Sequence, residues 1–561
     1  MIKPPNVNNK AIGGIFMSNK KRLMVFGMFI FAIFFSLAIR LYNIQVIKSP
    51  TYSELALKQR SSEISLYPNR GIIYDRNLES LTNKEKEKVI IIPKDIIIND
   101  KDVFDIVLNH SKLSKNQLDK IIRNGNNLLQ IKIDEEFDLG KYNNRMFFAD
   151  ITKRYGEDNL LSHVIGYVNK SDNKGETGIE RVYDEFLKGY DERTFILEYD
   201  SSRTIILNGV EYVDEIDDPN NPVGVKLTID SRIQKSVENI MDESRVNGAV
   251  VVTEVETGEI LALASRPNFN QDRIGEFFDN DKMALYNKAI QVGYPPGSIF
   301  KIVVLIAALE YDLDIEGKEY LCPGYEDINN IRIKCTAKHG NIDLSKAFAV
   351  SCNSTFIQIG KELGAEKIID VAKRLNFGEK IGIGLLEESQ GNLPNGNDLL
   401  GPSIGNIALG QGKIEATPLQ ISNLLMIIAN KGIQKQLTIV EGITNSKGHI
   451  LKDYRNEEDK LVISPELTNI VCDYLLDVVE NGTGRNIDLD AVGGAGGKTG
   501  SAEATLYNKK TIHGWFAGFF PKINPKYVIT VFVEEGNSGS KSAAPIFEKI
   551  AKEINRIDPL Y

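Results

Sequence analysis

The spacing of apolar and polar positions divides the chain into regions of different texture. Leu23 to Ile39 reads LMVFGMFIFAIFFSLAI, 17 residues without a charge, and Leu41 and Tyr42 extend the run past Arg40. A bilayer core needs about 20 such residues, so one transmembrane helix is expected over 23–42. Lys10, Lys20, Lys21 and Arg22 precede it. By the positive-inside rule, residues 1–22 form a cytoplasmic tail and everything after the span is extracytoplasmic. The apolar run is longer than a signal-peptide core, and no small-x-small cleavage site follows in RLYNIQVIKSP, so the segment reads as an uncleaved signal-anchor. Residues 43–235 are polar, rich in Lys, Asp, Asn and Ile. They carry β-like runs at VIIIP (89–93) and IIINDKDVF (96–104), and a solvated charge run, KEKEK (84–88). VKLTI (225–229) reads as a strand, and DSRIQKSVENIM as a helix capped by Asp230 or Ser231.

At Gly248 the texture changes. AVVVTEVETGEILALAS (249–265) predicts two apolar strands joined around Glu256-Thr257-Gly258-Glu259. Apolar helices then alternate with Gly/Pro-rich turns, and an amphipathic helix is expected over 545–557. A domain boundary is placed near 236–247, with an N-terminal extracytoplasmic domain over 43–235 and a second domain over 236–561.

Composition narrows the chemistry. The chain has 561 residues, 42% hydrophobic and 25% charged, enough apolar material for more than one core. A net charge of -9 excludes a basic nucleic-acid footprint. Four cysteines cannot staple a fold of this size, and five histidines leave few candidates for chemistry built on several of them.

A serine and a lysine supply the alternative. Tyr294-Pro295-Pro296-Gly297-Ser298-Ile299-Phe300-Lys301 runs into the apolar helical stretch VVLIAALEY, placing Ser298 and Lys301 on one face of its first turn. A serine hydroxyl needs an adjacent base, and burial lowers a lysine's pKa toward that role. S-x-x-K also occurs at Ser18, Ser171 and Ser538, but only Ser298 has the Pro-Pro-Gly elbow followed by a buried helix. Ser351-Cys352-Asn353 stands 53 residues beyond Ser298, and GGAGGKTGSAEA (493–504) holds the chain's one Lys-Thr-Gly, Lys498-Thr499-Gly500, followed by Ser501. A phosphate loop there fails by spacing, because the first glycine of that pattern would fall on Val492.

S-x-x-K, S-x-N and K-T-G in this order form the signature of β-lactamases and penicillin-binding proteins. The chain resembles a class B penicillin-binding protein. Arg70-Gly71-Ile72-Ile73-Tyr74-Asp75-Arg76-Asn77, after Asn69, resembles the family's R-G-x-I-x-D-R-N element. His163-Val164-Ile165-Gly166-Tyr167-Val168, Gly178-Ile179-Glu180, Leu227-Thr228-Ile229-Asp230 with Gln234, and Gly410-Gln411-Gly412 with Thr417-Pro418-Leu419-Gln420 resemble its later blocks.

The resemblance implies an α+β serine β-lactamase/penicillin-binding-protein transpeptidase fold, with an elongated β-rich N-terminal pedestal and one transmembrane helix. It implies a peptidoglycan D,D-transpeptidase in which Ser298 attacks the D-Ala-D-Ala stem peptide and β-lactams acylate the same serine. Lys301 would be the base, Ser351 the proton relay, and Asn353 and Lys498 would orient and charge the site. Thr499, Gly500 and Ser501 would bind substrate, with the backbone N–H groups of Ser298 and Ser501 as oxyanion hole. By the same resemblance catalysis takes no cofactor, nucleic acid is not a partner, and glycan polymerisation needs a SEDS-type membrane polymerase. Rival readings are a D,D-carboxypeptidase or β-lactamase-type hydrolase, and a non-catalytic β-lactam receptor or scaffold.

The cysteines stand apart from the resemblance. Cys322 and Cys335, with His339, give C-x12-C-x3-H between the two serine motifs. They read as core thiols, as a disulfide, or as ligands of a structural zinc, the Cys-x3-His spacing suiting one helix face. A fourth ligand is sought in Asp327 or a nearby carboxylate, and Cys352 is read as a small buried hydrophobe.

Overall fold

The structure is a computed structural model. It describes residues 19–560 apart from 66–69, 126–127, 144, 189–193, 200–204, 214–219, 279–282, 312, 314, 316, 456–458 and 507–508. Most of the expected cytoplasmic tail, the decoy Ser18 and Asn69 lie outside the described residues.

The chain forms two compact units, the first built from residues up to Ile64, Lys88–Ala149 and Thr194–Val213. Its N-terminal helix α1 (Asn19–Tyr42) is apolar and continues through a wider turn to Ile47. This is the one helix among the described residues long and apolar enough to cross a membrane. The unit's core gathers Ile90 and Ile92 with Val103, Val107, Leu118, Leu129 and Ile131. One local expectation needs correction here. IIINDKDVF forms helix in two pieces, Lys94–Asn99 and Lys101–His110, because the Asp100 carboxylate accepts from the Asp102 amide and caps the second piece. Val103 and Val107, four apart, then share its buried face. The charge run KEKEK, from Glu85 on, forms the first half of strand Glu85–Pro93, with the more exposed positions alternating along it.

The second unit comprises Ser65–Glu87, Asp150–Arg193 and Asp214–Tyr561. Helix α2 (Ser231–Glu243) starts at Asp230, whose side chain accepts from Arg232 N. The central sheet is antiparallel throughout. Its strands are β1 (Gly248–Glu254), β2 (Ile260–Arg266), β3 (Gly496–Leu506), β4 (Lys509–Phe520) and β5 (Tyr527–Val533), in the order β2-β1-β5-β4-β3. Period-two alternation explains its layering. On β1, Val250 and Val252 join the core that holds α2 and the C-terminal helix Gly539–Ile557, while Ala249 and Val251 point to the opposite, larger core. That larger core contains α3 (Lys301–Glu310), α4 (Leu344–Ala349), α5 (Asn353–Leu363) and α6 (Pro418–Ala429), the last buried along its whole length and started by a Thr417/Gln420 capping box. Because the sheet these helices cover is antiparallel, the domain is α+β and not a parallel α/β fold.

The R-G-x-I segment belongs to this unit. Ile73–Tyr74 pairs with Gly224–Leu227, which pairs with Val440–Thr444. Arg70 is buried and donates to both Glu180 and Asp184 at 2.7 Å, while Arg154 donates to the other oxygen of Glu180.

Candidate active site

The site forms where the buried helix α3, the turn before α5 and the edge strand β3 meet. Ser298 lies in a tight turn, Gly297–Phe300, that leads into α3. Two glycines let strand and turn close on one another. Gly297 has φ +55°, and a Cβ there would lie 2.9 Å from the Ser501 carbonyl oxygen; a Cβ on Gly500 would lie 3.0 Å from the Pro296 carbonyl oxygen. The Gly297 amide donates to Gly410 O at 2.9 Å, so the G-Q-G segment holds the nucleophile turn from behind.

Lys301 is fully buried, three residues into the motif. Its Nζ donates to Ser351 O at 2.7 Å, Ser351 Oγ at 3.2 Å and Asn353 Oδ1 at 2.8 Å. Lys498 is also fully buried and donates to the same Ser351 hydroxyl at 3.0 Å. Ser351 reaches both lysines because it takes a left-handed backbone, φ +59°, between α4 and α5. Such strain in a non-glycine residue persists only where surroundings over-determine it, and here two lysines and the Lys301–carbonyl bond do so.

Burial disfavours the charged form of each lysine. Lys301 is lowered to about 8. Lys498 is pushed well below the usual ammonium range by burial and by the Lys301 charge. Two ammonium groups on one hydroxyl repel in a low-dielectric site, so one amine is readily neutral and able to take a proton. Thr499 is buried and pairs with Phe516 in the β3–β4 ladder, and exposed Ser501 pairs with Gly514. The structure thus brings Lys301, Ser351, Asn353 and Lys498 into direct contact, with Ser298 and Thr499–Ser501 on the elements that meet there. Of the other S-x-x-K serines, Ser171 bonds instead to Asn169 Oδ1 and Ser538 pairs with the Ser540 hydroxyl.

Three contributions escape the motif pattern. Gly539 N donates to Ser501 Oγ at 3.2 Å, so the start of the last helix positions that hydroxyl. Thr483 places its hydroxyl 2.5 Å from that of Thr499. Cys352 is the third. Cys322, Cys335, His339 and Cys352 bring their ligand atoms within 4.8 Å of one another. The fourth member is therefore Cys352 and not a carboxylate: Asp327 is exposed and ion-paired with Arg332 at 2.8 Å. Nor do Cys335 and His339 share a helix; they flank a turn between strands Ile331–Lys334 and Gly340–Asp343. All four cysteines are free thiols.

A serine in the turn that opens a buried helix, a lysine at the helix start, and a lysine-bearing edge strand define an acyl-transfer enzyme of the serine–lysine class. Comparison with known proteins gives the family. Residues 248–552 match the penicillin binding protein transpeptidase domain, and residues 65–216 the penicillin-binding protein dimerisation domain. The chain is 30% identical to Stage V sporulation protein D of Bacillus subtilis, covering 95% of this chain and 85% of that one. It is 26% identical to the peptidoglycan D,D-transpeptidase MrdA of Acinetobacter baumannii, covering 93% and 86%. The structure of penicillin-binding protein PBP2 from Helicobacter pylori shares the fold, with a TM-score of 0.70 at 24% identity over 89% of this chain and all of that one. The chain belongs to the penicillin-binding protein transpeptidases, peptidoglycan D,D-transpeptidases that bind β-lactams.

Proposed function

We propose that Ser298 attacks the penultimate D-Ala carbonyl of a stem peptide, with Lys301 taking the hydroxyl proton. The Ser298 oxygen bonds to the carbonyl carbon, the C–N bond to the terminal D-Ala breaks, and the leaving amine receives a proton relayed through Ser351. Asn353 orients Lys301, and Lys498 adds positive charge. Thr499, Gly500 and Ser501 hold the terminal carboxylate, and the amides of Ser298 and Ser501 face the developing oxyanion. An amine from a neighbouring stem peptide then displaces Ser298 and forms the cross-link. The observation that carries this reading is the shared contact of two buried lysines with the Ser351 hydroxyl. Full-length protein in detergent, given a D-Ala-terminated thioester donor and an amino acceptor, should form the amide product faster than the hydrolysed one. Predominant hydrolysis would favour the carboxypeptidase reading.

In the same reading residues 1–22 are cytoplasmic, 23–42 span the membrane, 43–235 form the partner-binding pedestal and 236–561 the transpeptidase domain, outside the cell. A SEDS-type polymerase in the same membrane supplies the glycan. The cluster of Cys322, Cys335, His339 and Cys352 holds a structural zinc. Its spacing supports this: Cys335 Sγ lies 3.8 Å from Cys352 Sγ, and His339 Nδ1 lies 3.4 and 3.6 Å from Cys322 and Cys335 Sγ. Tetrahedral zinc, with Zn–S of about 2.3 Å and Zn–N of about 2.0 Å, asks for edges of about 3.8 and 3.5 Å. Metal analysis of the purified protein should find about one zinc per chain, lost in Cys335→Ser.

A further inference from the structure

Thr483 stands outside the three motifs and touches two of them. Helix Pro465–Glu480 ends at a tight turn in which Gly482 N and Gly484 N both donate to Val478 O, at 3.1 and 2.9 Å. Between them the Thr483 amide donates to Ala349 O at 3.0 Å, two residues before Ser351. The turn is thereby fastened to the segment that carries the proton relay, and its side chain is directed at β3. There the Thr483 hydroxyl meets the Thr499 hydroxyl at 2.5 Å. Thr499 is buried, 6% exposed, while Thr483 is partly exposed.

Proton counting gives this contact a direction. Each hydroxyl has one proton to donate and lone pairs to accept with, whereas an ionised carboxylate only accepts. In a pair of hydroxyls one must donate to the other. If Thr499 donates to Thr483, it has no proton left for a carboxylate. If Thr483 donates, the Thr499 proton is free, and its oxygen is polarised as the middle of a chain running Thr483 O–H to Thr499 O–H to carboxylate. A carboxylate at the site selects the second arrangement. The Thr483 amide bond to Ala349 keeps the donor in place before substrate arrives.

We propose that Thr483 is a positioning residue that turns the Thr499 hydroxyl toward the terminal carboxylate of the donor peptide, and so sets the enzyme's selectivity for carboxylate-bearing substrates. This rests on the role given above to Thr499 and extends it to a residue that none of the signature motifs contains.

The test compares acylation of the full-length protein in detergent by a penicillin and by its methyl ester, which has the same ring without the anionic charge. The ratio of the two second-order rate constants is taken on a single preparation, so the active fraction cancels. Wild type should prefer the acid. Thr483→Val should lower that preference roughly tenfold, the scale of one hydrogen bond in a chain ending on a charged acceptor. Thr483→Ser, which keeps the hydroxyl, should restore it. Thr483→Ala removes the hydroxyl with less bulk and serves the same purpose if the valine variant does not fold. An unchanged preference in Thr483→Val or Thr483→Ala overturns the proposal, as does a serine variant as defective as the valine one. A wild-type protein acylated by neither compound would instead overturn the underlying reading of Ser298, a distinct result.

Discussion

Lys301 and Lys498 both donate to the Ser351 hydroxyl, and that geometry makes a definite demand on the base. A guanidinium cannot lose its proton at any working pH, and its planar fork does not fit a pocket built for a point amine. Lys301→Arg should therefore be as inactive as Lys301→Ala, with acylation slowed by roughly 10²–10⁴-fold, the usual contribution of a positioned base. Stopped-flow acylation by a fluorescent penicillin measures this; an arginine variant that retains activity would place the base elsewhere. Ser298 and Lys301 were legible in the sequence because they belong to one helical turn and are flanked by an elbow and an apolar run. Ser351 and Lys498 were legible only as members of short motifs in a familiar order. Cys352 was not, since its part in the cluster depends on folding that brings together residues 17 and 30 positions apart, and a lone cysteine in a buried turn reads as packing. Thr483 was invisible for the same reason: Gly-Thr-Gly after a helix looks like an ordinary cap.

Among the elements, the turn that carries Ser298 is tightly constrained. Gly297→Ala would add a methyl group at φ +55° and at 2.9 Å from the Ser501 carbonyl, so either the turn or the edge of β3 must shift. A cost of about 1–3 kcal/mol in stability is expected from the strain, with acylation slowed further because the shift separates Ser298 from β3. Chemical denaturation and acylation rates, measured together, check both parts. The pair of segments around Arg70 and Glu180 has another origin of stability. Glu180 is fully buried and is shared by Arg70 and Arg154 at 2.7 Å each. Glu180→Ala would leave the Arg154 guanidinium without its carboxylate and Arg70 with Asp184 alone, and should destabilise the protein by about 3–5 kcal/mol, read as a lower denaturation midpoint. At this scale the apolar strands and long helices followed from periodicity. The Ile-rich run after Pro93 was misread because β-branched residues favour strands on average, whereas Asp100 as a local cap, followed by Val103 and Val107 four apart, decides for helix.

For the molecule as a whole, an acidic and histidine-poor composition fits an enzyme whose candidate site is built on two buried lysines. The few histidines still shape its response to pH. His163 Nε2 donates to Ala284 O at 2.7 Å and the ring is packed edge-on against Phe269, and burial lowers its pKa from 6.5 to about 4. The folded state then holds fewer protons than the unfolded chain between those values. Its stabilising contribution is complete above pH 6.5 and is lost as the pH falls toward 4. The melting temperature should drop across that window, less steeply in His163→Gln; equal slopes would remove His163 as the cause. The overall class was legible because the signature motifs span the chain from Arg70 to Ser501. The interleaving of segments in the two compact units was not, because sequence order carries no sign of which segments return to the same core.

The central claim is that Ser298 is the acylated nucleophile. Its most direct test is peptide mapping by mass spectrometry after the full-length protein has reacted with benzylpenicillin. One intact penicillin on the peptide containing Ser298, absent in Ser298→Ala, is the expected result. An adduct on another residue, or none on the wild type, would contradict it.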